Sequence, residues 1–260
     1  MDDSQALEAA RLLHGAWRDK ALIQDLPESC RPQSLAEGYQ VQDALEAVHD
    51  VALVGYKIGA TNEAAQRMLG VDAPFFGRVL EPALRRSPAA IQAGEVVLLI
   101  IEAEFDFTLK EDLPPRKGSY SQDEVMAKVD KLMPAIEIPD SRFEDWRAAG
   151  IPQLIADNAI ASLLVVGEAA QNWRDLDLSR QSVDVRVNGE TVDQGSGVNV
   201  LGDPRTALTW LANTLSGRGI GLKAGQLVTT GSAANVIKVN PGDTVVADFG
   251  DLGTSEVSFG

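Results

Sequence analysis

The chain is poor in the two side chains that most often carry metal or nucleophilic chemistry. Its 260 residues hold one cysteine, Cys30, and two histidines, His14 and His49. A single cysteine excludes an intrachain disulfide framework and fits a reducing compartment. Cys30 precedes Arg31-Pro32 in a polar connection with no local signature of a nucleophile. Both histidines lie in N-terminal segments of helical periodicity. That placement argues against a histidine-rich metal site and against a Ser-His-Asp triad. Basic residues are also scarce: 23 Lys and Arg stand against 38 Asp and Glu, a formal net charge of -15. Nucleic acid and anionic membranes need a basic face, so neither is expected as a partner. A small anionic substrate is not excluded, because a local lysine, arginine or metal ion overrides the global field. No apolar run approaches the ~20 residues that span a bilayer. The N-terminus opens on Asp2-Asp3, without the basic region and apolar stretch of a signal peptide. A cytoplasmic protein is the expectation.

The hydrophobic content of 45% is ample for a core, and the length suits one large or two modest domains. Ala6, Leu7, Ala10, Leu13, Ala16 and Trp17 predict a helix from Ser4 to about Lys20. Ser34, with Glu37 three residues on, predicts a capping box opening a second helix that ends near His49. Residues 1–50 therefore read as a helical N-terminal region, and 51–260 as a strand-rich α+β domain. Val51 to Ile58 is a β-rich run. Asn62 caps a short helix to Gly70, and Val71 to Val79 reads as irregular. A helix is expected from Ser121 to Leu132, then a short strand over Pro134 to Asp140. Leu154 to Val166 fits either a buried helix or a strand. Asn188-Gly189 marks a hairpin, Asp203-Pro204 starts a helix through Leu215, and short strands fill the C-terminus.

The most informative stretch is Leu98 to Phe107, where an apolar run becomes an alternation. Glu102, Glu104 and Asp106 share one strand face, and Ile101, Ala103, Phe105 and Phe107 the other. Carboxylates directly after an apolar run are costly unless paired or bound to a cation, which points to a divalent metal site. An antiparallel strand with one wet face gives the same pattern. Glu137, between Ile136 and Ile138, is a further carboxylate in an apolar setting. Three glutamates would make an all-oxygen site suited to Mg2+ or Mn2+. Arg142 or Arg147 would satisfy Glu137 equally well. Lys57, bracketed by Gly55 and Gly59, reads as a desolvated acid/base of lowered pKa or as a snorkelling strand residue.

Gly55-Tyr56-Lys57-Ile58-Gly59-Ala60-Thr61 resembles a glycine-flanked lysine segment of the 2-keto-4-pentenoate hydratase and 2-oxohex-3-enedioate (4-oxalocrotonate) decarboxylase family, within the fumarylacetoacetate hydrolase superfamily. Leu69 to Pro74, Ile101-Glu102-Ala103-Glu104-Phe105, Pro134 to Arg142, Asp157-Asn158-Ala159, Thr230-Gly231-Ser232 and the ending from Pro241 to Gly253 match it in order. The resemblance implies a mixed β-sandwich or roll core. It implies Mg2+ or Mn2+ held by Glu102, Glu104 and Glu137, with Lys57 as acid/base. It also implies a 2-hydroxy-2,4-dienoate or 2-oxoenoate substrate from aromatic catabolism, contacted near Ala60 and Ser162. The leading reading is a hydratase, with decarboxylase or a non-catalytic partner subunit as alternatives. A homo-oligomer is expected, and association with a related hydratase or decarboxylase is part of the same expectation. C–C bond hydrolysis would need a water-activating His or Glu, and His14 and His49 lie far from the site motifs in sequence.

One departure from the family pattern stands out. Many members carry an acid after the proline at position 74, where this chain has Phe75-Phe76-Gly77-Arg78. Phe75 either makes the pocket more apolar or packs in the core. Arg78 either adds a positive group for a distal substrate carboxylate or lies exposed on the surface.

Overall fold

The computed structural model describes residues 1–260. Helices α1 (Asp3–Asp19) and α2 (Leu35–His49) form where the periodicity predicts them. Ser34 caps α2 by accepting from Glu37 N, but the Glu37 carboxylate does not complete the expected box. It accepts instead from the Met1 ammonium and from Gln33 N, both at 2.7 Å, and so ties the chain start to α2.

Next come β1 (Leu53–Gly59), α3 (Glu63–Leu69) and β2 (Phe75–Leu80). The stretch read as irregular thus contains a strand. Pairing with β1, through Gly59 opposite Phe75 and Lys57 opposite Gly77, supplies order that no local alternation advertises. Strands β3 (Leu84–Arg86), β4 (Ala89–Ile91) and β5 (Ile100–Leu109) lead to helix α4 (Gln122–Met126) and strand β6 (Val129–Ile138). The helix expected through Leu132 therefore stops at Met126. Ser121 and Glu124 do form the reciprocal box, and Val125, Val129 and Leu132 are all buried in one core. From Val129 onward the backbone hydrogen-bonds to β5, and this tertiary pairing overrides the helical stripe. Leu154 to Val166 resolves into both alternatives, with α5 (Ile151–Ala156) followed by β7 (Leu163–Val166).

The chain ends with β8 (Ser182–Val187), β9 (Glu190–Ser196), α6 (Pro204–Gly217), β10 (Leu227–Ser232), β11 (Ile237–Lys238), β12 (Thr244–Asp248) and β13 (Thr254–Phe259). Asn188 and Gly189 join β8 to β9 with φ of 53° and 86°, as the expected hairpin requires.

Two mixed sheets organise these strands. The larger runs β2-β1-β10-β5-β6-β7-β3, with β11 added to β5, and the smaller runs β4-β13-β12-β8-β9. Ile101, Ala103, Phe105 and Phe107 pack with Val185, Val245 and Val257 of the smaller sheet and with Leu208 and Leu211 of α6. This is the mixed α+β sandwich expected from the sequence. The opposite face of the large sheet holds the polar residues. Lys57 of β1, Val79 of edge strand β2, Glu137 of β6, Leu164 of β7 and Thr229 of β10 line one small cavity there. Residues from β2 and β7 meet across it, so the sheet is curled into a roll around that face. Helices α1 and α2 pack with Leu154, Ile155, Phe143 and Trp146 in a separate apolar cluster. No helix is long and apolar enough to cross a membrane.

Candidate active site

Strand register brings the carboxylates together. Glu102 of β5 sits opposite Glu137 of β6, and Glu104, two residues along, lies on the same face. One oxygen from each of the three lies within 4.8 Å of the others. Glu104 and Glu137 are buried, and Glu102 is half-buried. The wet-face alternative is thereby excluded for this strand.

Glu104 is the most firmly held. Its Oε2 accepts from Thr229 Oγ1 at 2.6 Å and from Gly231 N at 2.7 Å. A register shift in β10 between Thr229 and Ser232 turns that amide toward β5. Gly231 has φ 92°, and an added Cβ would stand 2.0 Å from Thr61 Oγ1, so only glycine fits. Of the two partners of Glu104, Gly231 lies within the matching Thr230-Gly231-Ser232 segment, and Thr229 carries no signal in the sequence.

The other ligand-capable oxygens tell the rest. Glu104 Oε1 and Glu137 Oε2 are buried without any hydrogen-bond partner. Buried carboxylate oxygens left unpaired are expensive, and a hard cation is the natural partner for a set of oxygens alone. The residues present therefore fit a divalent ion. Burial first, then the neighbouring Glu137, pushes Glu102 up to about 7, and Glu104 is raised well above the ordinary carboxylate range for the same reasons.

Lys57 Nζ lies 3.3 Å from Glu137 Oε1, with both side chains almost fully buried. Arg142 and Arg147 do not take that place: Arg142 pairs with Asp140 and stacks over Trp17, and Arg147 covers Trp146. Burial disfavours the Lys57 ammonium, but Glu137, Glu102 and Glu104 together outweigh it and raise its pKa. The expected lowered value is thus corrected to a raised one, because the sequence could not show three carboxylates around one amine. Asp106, deeper on the same face, is fully buried with both oxygens unpartnered.

Ser162 lines the small cavity with Lys57 and Glu137. Ala60 follows β1 with φ 57° and is buried. Ser162 is presented by a turn in which Asn158, Ala159 and Ile160 all have φ 54°. Such left-handed geometry costs about 1–2 kcal/mol per residue. Asp157 anchors the turn by accepting from Trp17 Nε1 at 2.8 Å, Ser141 Oγ at 2.8 Å and Arg142 N at 2.9 Å.

Phe75 packs in the core, one of its two expected places, and Arg78 is buried on the cavity wall rather than exposed. Arg78 is opposite Tyr56, out of phase with Lys57, and is 4% exposed. Its guanidinium pairs with Asp43 and Glu46 of α2 and donates to Gln42. The surface alternative is therefore corrected, and its charge is already matched by α2. Phe75 packs in the helical cluster, its ring against Gly59. Beyond Arg78, Ala161 and Ser162 the small cavity adjoins one of about 260 Å³ whose wall includes His49 and Trp17. His49 is thus nearer the site than its place in the sequence implied. Burial, then the adjacent His14, pushes it down to about 4 and keeps it neutral.

The chain as a whole is similar to known proteins. Residues 72–259 match the family model "Fumarylacetoacetate (FAA) hydrolase C-terminal". The chain is 32% identical to 2-keto-4-pentenoate hydratase of Paraburkholderia xenovorans (strain LB400), over 100% of this chain and 96% of that one. It is 30% identical to 4-oxalocrotonate decarboxylase of Pseudomonas sp. (strain CF600), over 95% and 94%. Its structure resembles 4-oxalocrotonate decarboxylase from Pseudomonas putida G7 complexed with magnesium and adipate, with a TM-score of 0.91 and 27% identity over 100% and 98% of the chains. The chain belongs to the fumarylacetoacetate hydrolase family.

Proposed function

We propose that the protein is a divalent-cation-dependent lyase that hydrates 2-hydroxy-2,4-dienoates, as the relatives named 2-keto-4-pentenoate hydratase suggest. The observation that carries this reading is the cluster of Glu102, Glu104 and Glu137 with Lys57 against Glu137 and two buried oxygens unpartnered. The three glutamates would hold Mg2+ or Mn2+. A bound ion would supply Lewis-acid polarisation of the 2-oxygen and carboxylate end of the substrate. Thr229 and Gly231 orient Glu104 for that task. Ser162 and the backbone near Ala60 contact the carboxylate end.

The proton chemistry belongs to Lys57. The dienol gives up its enol proton while the terminal carbon gains one, leaving a 2-oxo-3-enoate. Lys57 Nζ, 3.3 Å from Glu137 Oε1, donates a proton to the carbon and is restored by the enol proton. Water then adds across the conjugated bond, its oxygen to C4 and its proton to C3.

Decarboxylation of 2-oxohex-3-enedioate is the second reading, favoured by the close likeness to a decarboxylase structure. Hydration of a monocarboxylate leads because Arg78 is matched by Asp43 and Glu46, and Lys57 is the one other cationic side chain on the wall of the small cavity. The deciding experiment supplies Mg2+ with 2-hydroxypenta-2,4-dienoate or 2-oxohex-3-enedioate and quantifies 4-hydroxy-2-oxopentanoate and carbon dioxide. Hydrated product from the first supports the leading reading. Carbon dioxide from the second, without hydration of the first, replaces it.

A further inference from the structure

Three consecutive non-glycine residues in the left-handed region, Asn158 to Ile160, are unusual. Such a run persists only where its surroundings hold it. Here the holding contacts are specific. Asn158 Nδ2 donates to Arg78 O, and Arg78 N donates to Asn158 Oδ1, both at 2.8 Å. The asparagine amide thus satisfies one residue of edge strand β2 as a neighbouring strand would. The turn also presses on Gly77, where an added Cβ would stand 2.3 Å from Asn158 O. Gly77 is the register partner of Lys57. At its other end the turn runs directly into Ala161 and Ser162, on the cavity wall shared with Lys57 and Glu137.

We propose that Asn158 is a positioning residue for substrate binding, whose clasp on β2 holds the left-handed turn so that Ser162 faces the cavity beside Lys57. The role rests on the proposed placement of the substrate carboxylate at Ser162. Asn158 itself is not on the wall of the small cavity that Lys57 and Glu137 line. Asparagine suits the position twice over, since it tolerates positive φ and carries both a donor and an acceptor. Glycine would keep the backbone and lose the clasp, and aspartate would keep the acceptor and lose the donor.

The test uses the full chain with Mg2+ and 2-oxohexanoate, a saturated 2-oxo acid that cannot be hydrated, measured by calorimetry. Asn158→Gly should weaken its binding about tenfold, the worth of one to two hydrogen bonds. It should raise KM for 2-hydroxypenta-2,4-dienoate by the same factor and leave kcat nearly unchanged. Ser162→Ala should weaken binding too, and the double variant should bind no more weakly than the weaker single one. Wild-type affinity in Asn158→Gly, or losses that add in the double variant, overturns the proposal. If the glycine variant does not fold, Asn158→Asp carries the same cycle, with a loss of about threefold that vanishes in the Ser162→Ala background. If 2-oxohexanoate binding behaves as expected while the dienoate is not turned over, the proposed reaction fails and the positioning role stands.

Discussion

Glu104→Gln separates the cost of the acidic cluster from its use. Three carboxylates with oxygens within 4.8 Å repel one another. At an effective dielectric of about 20, a fully charged pair at that distance costs about 3.5 kcal/mol. Protonation relieves part of this, as the raised pKa values of Glu102 and Glu104 record. Glutamine removes one charge, keeps an oxygen for Thr229 and Gly231, and turns its amide NH2 toward the cluster. Without a cation the variant should therefore melt at or above the wild-type temperature. With Mg2+ at about 100 times its dissociation constant, the wild type gains about 2.7 kcal/mol. For a domain of this size that is about 5–11 °C in Tm. The variant should lose most of that shift, because an amide NH2, which only donates, now faces the ion. Thermal unfolding in EDTA and in Mg2+ reads both effects. A glutamine variant that keeps the full Mg2+ shift would refute a three-glutamate site.

Other outcomes follow from the same geometry. The folded-state pKa of Glu102 is about 7 against an ordinary 4.5, so the stability it contributes to the cation-free protein is present below about 4.5 and lost as pH rises through about 7. The Mg2+ shift in Tm should accordingly grow over the same interval, because the ion needs the ionised form. Lys57→Met should keep the Mg2+ shift while kcat on the dienoate falls by about 10²–10⁴; full turnover would remove Lys57 from the chemistry. Trp17→Phe strips the sole hydrogen bond of Asp157 Oδ1. It should cost about 1–3 kcal/mol in urea unfolding at unchanged m-value. Gly231→Ala, with its Cβ against Thr61, should lose about 1–3 kcal/mol of stability. It should also weaken the Mg2+ shift, because the amide that orients Glu104 must move.

What the sequence made legible was the part carried by strand period. The alternation through Glu102 and Glu104 and the apolar neighbours of Glu137 both reflect positions on buried strands, and register alone brings the three together. Hidden were features that depend on chain segments meeting from afar. Strand β2 shows no alternation because its order comes from β1. The end of α4 is hidden because Val125, Val129 and Leu132 serve one core from two kinds of element. The fate of Arg78 required knowing that α2 lies beside it with Asp43 and Glu46. Asp157 and Asn158 drew notice as a motif, but their work lies in contacts with Trp17 and Arg78, 140 and 80 residues away.

The most direct test of the site is the cation dependence of turnover. Protein stripped with EDTA is mixed with 2-hydroxypenta-2,4-dienoate, the dienol absorbance is followed, and Mg2+ is added. The carboxylate cluster predicts no enzymatic decay before the ion, decay to 4-hydroxy-2-oxopentanoate after it, and neither in Glu104→Gln. A full rate in EDTA, or a wild-type rate in the variant, would contradict it.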